Sequence, residues 1–152
     1  MRAVVQRVRH ARVHVDGKQV GAVGNGLCIL LGVSRTDTET DIEYMVRKIP
    51  NLRIFEDKEG KMNKSLRDVG GSVLLVSQFT LYGDCSRGLR PSYTEAAPPE
   101  LAEAQYNALV ERLRGEEVTV KTGVFRAMMD VEILNHGPVT IILDSRRERG
   151  KV

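Results

Sequence analysis

AMMDVEILNHGPVTIILDS, residues 127–145, decides how the strands of this chain connect. Two apolar runs, AMMDVEIL and PVTIILDS, flank the short link NHG. Both runs read as strands, and the link reads as a hairpin-type turn. Gly137 and Pro138 then stand at the mouth of the second strand. Proline cannot donate to a sheet ladder, so a Gly-Pro placed there serves something other than pairing.

Working outward, strands dominate the first third as well. Residues 2–9 are rich in valine, and ARVHV puts Ala11, Val13 and Val15 on one face with Arg12 and His14 on the other. DGK supplies an Asp-Gly turn and QVGAVG returns, which is a hairpin signal. Asn25 and Gly26 mark another turn before the fully apolar LCILLGV. Val73, Leu74, Leu75 and Val76 form a further buried strand, and EEVTVKTG another candidate.

Two helices interrupt this pattern. Ile42, Met45, Val46 and Ile49 repeat at helical spacing, with Thr40 and Glu43 as a capping box and Pro50 as the stop. Tyr106, Leu109, Val110 and Leu113 repeat the same spacing between Pro98-Pro99 and Gly115. Each apolar stripe fits packing on a sheet. Seven or so strands with two helices predict one α+β domain over residues 1–152, with a mostly antiparallel sheet. The irregular stretch 83–98 is long for a compact domain, and such loops are usually functional or disordered.

Composition excludes several classes. At 152 residues the chain has the length of one domain. No apolar run is long enough to span a bilayer, and arginines break the N-terminal stretch, so a cytosolic protein is expected. Two cysteines, Cys28 in a strand and Cys85 in a loop, make neither a disulfide framework nor a zinc site. The three histidines, His10, His14 and His136, lack metal-site spacing. No nucleophile elbow, phosphate loop or dinucleotide fingerprint is present. The net charge is only +3, but RVRHAR, SRGLRPS and RRERGK cluster basic residues. They form either a solvated surface or a patch for phosphates. Ser77, Gln78 and Thr80 follow four apolar residues, which brings polar groups to the end of a core strand.

SQFTLYGD (77–84) and NHGPVT (135–140), taken as a pair, resemble the D-aminoacyl-tRNA deacylase family. MRAVVQRV and GLRPSYTEAAPPE resemble it too, so the likeness covers essentially the whole chain. Tyr93, where the family pattern has Phe, and the CSRG loop depart from it. The resemblance implies a barrel-like α+β fold and a homodimer with active sites at the subunit interface. It implies hydrolysis of the ester joining a D-amino acid to the tRNA 3′ end, with Gly137-Pro138 in cis facing SQFT of the other chain. No metal or organic cofactor is required by that scheme. Two other readings stand beside it: a non-catalytic tRNA-binding module, and a partner-binding dimer such as a replication accessory protein.

The resemblance also assigns residues. Gly137 and Pro138 would form a backbone wall that excludes L side chains. Proline fixes φ and glycine adds no Cβ. Backbone N–H groups near Gln78 and Phe79 would bind the oxyanion. Ser77 and Thr80 would position substrate or water, because no base for a Thr80 nucleophile is evident. Phe79 would support the pocket wall or pack on the terminal adenine. Met129 is a candidate for the adenine pocket or for core packing. Arg7 would brace the Gly-Pro carbonyls or stand on the strand surface. Arg90 and the tail arginines are candidates for phosphate contacts.

Overall fold

The computed structural model describes residues 1–149, the side chains of 148 and 149 excepted. Strand β1 runs unbroken over Arg2–Val15, turns at residues 16 and 17, and returns as β2, Lys18–Val23. β3 is Gly26–Gly32, then helix α1 covers Glu39–Lys48 and a 3-10 turn continues through Ile49–Asn51. A small ribbon of β4, Phe55–Glu56, and β5, Met62–Lys64, follows; no sequence signal marked it. β6 is Ser72–Ser77, α2 is Pro99–Gly115, β7 is Val120–Thr122, and β8 is Asp130–Asp144, with a short α3 at Arg146–Arg149.

The main sheet has the order β2-β1-β3-β6-β7, with β8 on the free side of β1. β1 pairs antiparallel with β2, β3 and β8, whereas β6 pairs parallel with both β3 and β7. The sheet curls until β2 meets β7. Gly21 permits this, because a Cβ there would stand 2.6 Å from the Thr122 carbonyl oxygen. The result is a nearly closed, barrel-like mixed sheet with two main helices.

Alternation along the central strands builds two cores. Leu27, Ile29, Leu31, Val73 and Leu75 face α1 and α2, where they meet Ile42, Met45, Ile49, Leu109 and Leu113. Cys28, Leu74 and Val76 point the other way, into the curl of the sheet with Val8, Ala11 and Val13. With both faces buried, these strands read as continuous apolar runs. The Tyr106 hydroxyl donates to the Leu75 carbonyl at 2.7 Å and pins α2 to β6.

Two sequence expectations are corrected. The helix α1 cap is Thr38, not Thr40: the Asp41 carboxylate accepts the Thr38 N–H at 2.7 Å, two residues earlier than the Thr40–Glu43 box. The residues 127–145 form no hairpin. β8 passes straight through the NHG link and stays paired with β1 from Asp130 to Asp144. Between Val8↔Asn135 and Gln6↔Thr140, β8 uses residues 136–139 where β1 uses only Arg7. Gly137 and Pro138 thus occupy a bulge, where proline's missing donor costs no ladder bond.

Candidate active site

β3, β6 and β7 run parallel, so their C-terminal ends emerge together. A cleft of about 920 Å³ opens there. In parallel arrangements, the carboxyl ends of strands are where chain segments diverge and ligands bind. Ser77–Thr80 cross its floor, Ala96–Pro99 and Ala102 form one wall, and Phe125–Met129 form the other.

The SQFT segment is held from below. Gln78 N–H donates to the Leu31 carbonyl at 2.7 Å, extending the β3–β6 ladder by one bond. Residues Phe79–Tyr82 then form a 3-10 turn. The Arg2 guanidinium donates to the Leu81 carbonyl at 2.8 Å and lies over the Tyr82 ring at 4.9 Å. Burial pushes the Tyr82 hydroxyl pKa up.

This geometry revises the oxyanion assignment. The Gln78 N–H is already committed to Leu31. The N–H groups of Phe79 and Thr80 open the turn and have no backbone acceptor among the described residues. These two, and not Gln78, are the free donors of the segment. The Gln78 side-chain amide donates to the Thr80 hydroxyl, fixing that side chain instead.

Ser77, Gln78, Phe79, Thr80 and Met129 all line the one cleft. Phe79 is 54% exposed and meets Tyr93 edge-on at 5.0 Å. Met129 is half-buried; it lines the cleft and also packs on the inner core. Among the lining residues there is no histidine, lysine, cysteine or carboxylate; the only charged ones are Arg35 and Arg126. His10 pairs with Glu132 at 3.0 Å and the His136 ring meets Arg9 at 3.1 Å, both away from the cleft. Cys28 is buried, and that burial pushes its thiol up to about 12.

Gly137 and Pro138 do not line this cleft; β1 and β3 stand between β8 and β6. Their peptide bond is cis, with Gly137 at φ +122°. Arg7 is only 4% exposed and reaches the bulge through the His136 carbonyl at 3.1 Å, one residue ahead of Gly137. It also donates to the Ile54 carbonyl at 2.9 Å and lies 3.5 Å from Glu56. The expected bracing of the Gly-Pro carbonyls is therefore a bracing of the carbonyl before them. Arg90 is exposed on the 83–98 loop. Of the basic tail, Arg146 bonds Ser34 and pairs with Glu95, whereas Lys151 and the Arg149 side chain lie outside the described residues.

Sequence reasoning missed Arg35 and Arg126. One follows a strand and the other sits in a turn, and neither position carries a periodic signal.

Known proteins resemble this chain in sequence and fold. The model of the family described as D-Tyr-tRNA(Tyr) deacylase matches residues 4–144. A D-aminoacyl-tRNA deacylase of Thermotoga petrophila is 57% identical over 147 residues, covering 97% of this chain and 99% of its own. Another, from Fervidobacterium nodosum, is 58% identical over the same length and coverage. Among solved structures, a c-Myc DNA Unwinding Element Binding Protein superposes with TM-score 0.89 at 49% identity, covering 95% of this chain and 98% of that one. A probable eukaryotic D-amino acid tRNA deacylase, at 17% identity, TM-score 0.78 and coverage of 93% of this chain and 97% of that one, shares the fold. A cleft floored by SQFT, a Gly-Pro bulge on the long strand, and relatives matched from end to end agree on one conclusion: the chain belongs to the D-Tyr-tRNA(Tyr) deacylase family.

Proposed function

We propose that this chain hydrolyses the ester of D-aminoacyl-tRNA and releases the free D-amino acid and tRNA. The observation that carries the mechanism is the cleft itself. Among the described residues it offers two free backbone N–H groups, at Phe79 and Thr80, and no side chain able to take a proton. Those donors suit the oxyanion that develops when an ester carbonyl is attacked. The proton then has to go to the substrate, and the ribose 2′-OH beside the ester is in position to assist. Thr80 and Ser77 orient the substrate or the attacking water, with Phe79 and Met129 against the terminal adenine. A tRNA substrate places the reaction in the cytoplasm.

Chirality needs a wall, since the ester is the same in both enantiomers and only the side-chain direction differs. In this reading the wall is Gly137-Pro138 of a second copy, so the working form is a homodimer. Support comes from three features. The Gly-Pro bulge lies outside its own chain's cleft, Arg7 holds it, and β8 presents exposed Leu134 and Ile142 beside its unpaired edge. A wall built by exclusion accepts many D side chains and also admits glycine, which has nothing to reject.

The test compares D-tyrosyl-tRNA ending in adenosine with the same ester ending in 2′-deoxyadenosine, alongside Thr80→Ala. Loss of a proton-transfer group typically costs ~10²–10⁴-fold. The deoxy substrate should fall in that range, and Thr80→Ala within ~10-fold of wild type. Full activity on the deoxy substrate with loss in Thr80→Ala would make Thr80 the nucleophile and overturn the scheme.

A further inference from the structure

Arg35 and Arg126 flank the SQFT floor from opposite sides. Arg35 follows the end of β3 and Arg126 follows β7, with β6 between them. Both line the cleft and both are exposed. Among the described residues neither guanidinium has an ion pair or a side-chain hydrogen bond. Glu95, whose carbonyl accepts the Arg35 N–H at 3.1 Å, gives its carboxylate to Arg146 at 3.6 Å. Among the described residues no carboxylate lines the cleft.

Arg126 also sits at φ +63°, in a turn closed by Ala127 N–H to the Val124 carbonyl at 3.2 Å. That left-handed conformation is unfavourable for a residue with a Cβ. Here it sets at the cleft a guanidinium that, among the described residues, has no ion pair or side-chain hydrogen bond. Two unpaired arginines that bracket an otherwise uncharged cleft form a site for a chain of anions. Guanidinium is suited to phosphate through its fixed fork of donors.

We propose that Arg126 and Arg35 clamp the phosphodiester backbone of the RNA strand immediately 5′ of the esterified nucleotide. This rests on the deacylase reading and deepens it, since the ester enters between the two arginines and the strand behind it must leave past them. The clamp adds affinity without reading bases, which suits an enzyme that serves many tRNAs.

The experiment uses D-tyrosyl esters of three carriers: adenosine, the trinucleotide CpCpA, and full tRNA. Adenosine carries no phosphate, so it reports the cleft without the clamp. Arg126→Gln and Arg35→Gln should each raise the ratio of KM for trinucleotide to KM for adenosine ester about 5-fold, with the change in KM and not kcat. Each should flatten the dependence of log KM on log salt by ~0.7 for tRNA, the value for one single-strand phosphate contact. Arg126→Lys should recover most of the ratio. An unchanged ratio and salt slope in both glutamine variants would overturn the clamp while leaving the deacylase intact. A wild-type protein that cleaves none of the three D-esters would overturn the reading beneath it, and the clamp with it.

Discussion

At Gly137 the backbone stands at φ +122°, and a Cβ would meet the Arg7 Nη2 at 2.8 Å and the Val139 side chain at 2.9 Å. Arg7 cannot yield easily, because its guanidinium is buried and engaged by His136, Ile54 and Glu56. Gly137→Ala should therefore cost about 1–3 kcal/mol of stability, read from urea unfolding. It should also weaken rejection of L-esters, because Arg7 must shift and release the bulge. A variant as stable and as selective as wild type would show that neither glycine nor Arg7 shapes the wall. Across the sheet, in the proposed scheme, Phe79 and Thr80 act through their backbone. The Thr80 hydroxyl is held by Gln78, and no lining residue is a base for it. Side-chain replacements in this segment are expected to be milder than any change that moves its N–H groups.

Among the elements, β6 governs the site, since its end sets the height of the SQFT turn. α2 fixes it through the Tyr106 hydroxyl on the Leu75 carbonyl. Tyr106→Phe should cost about 1 kcal/mol in thermal or urea unfolding, the net value of one such bond. The loss stays modest because the Gly123 N–H still reaches the same carbonyl at 3.3 Å. A loss above ~3 kcal/mol would mean that the ring's packing, not the bond, does the pinning. Apart from the short β4–β5 ribbon, the strands and the two main helices were legible in the sequence, because apolar periodicity is a local property. Their pairing was not. Parallel contacts of β6 with β3 and β7 depend on chain crossings that leave no local mark. The residues 127–145 were misread as a hairpin for the same reason. A Gly-Pro between two apolar runs fits a turn or a bulge equally, and the distant β1 settles it by pairing on both sides. SQFT and Gly-Pro were legible as motifs. Arg35 and Arg126 were not, because a strand-end arginine and a left-handed arginine look like ordinary surface residues.

At the scale of the molecule, the two-sided core has a consequence for pH. Burial raises the Cys28 thiol from 9.0 to about 12, and raises the Tyr82 and Tyr106 hydroxyls as well. The native state keeps these protons after the unfolded chain has lost them. Their contribution to stability is therefore complete below pH 9 and falls as pH rises from 9 toward 12, by about 1.4 kcal/mol per pH unit for each group that has ionised in the unfolded chain. The urea midpoint should drop between pH 8 and pH 10, and Cys28→Ala should remove the earliest part of that drop. A flat profile would place Cys28 in contact with solvent. Activity is a property of the same whole. In the proposed reading the cleft at the ends of β3, β6 and β7 takes its wall from a second copy, which would tie chirality to assembly. The measurement that tests this most directly is hydrolysis of matched D-tyrosyl- and L-tyrosyl-tRNA by the purified protein. Rapid loss of the D-ester with the L-ester preserved is the predicted result. Equal cleavage of both would contradict the Gly-Pro wall, and cleavage of neither with tRNA still bound would contradict the enzyme.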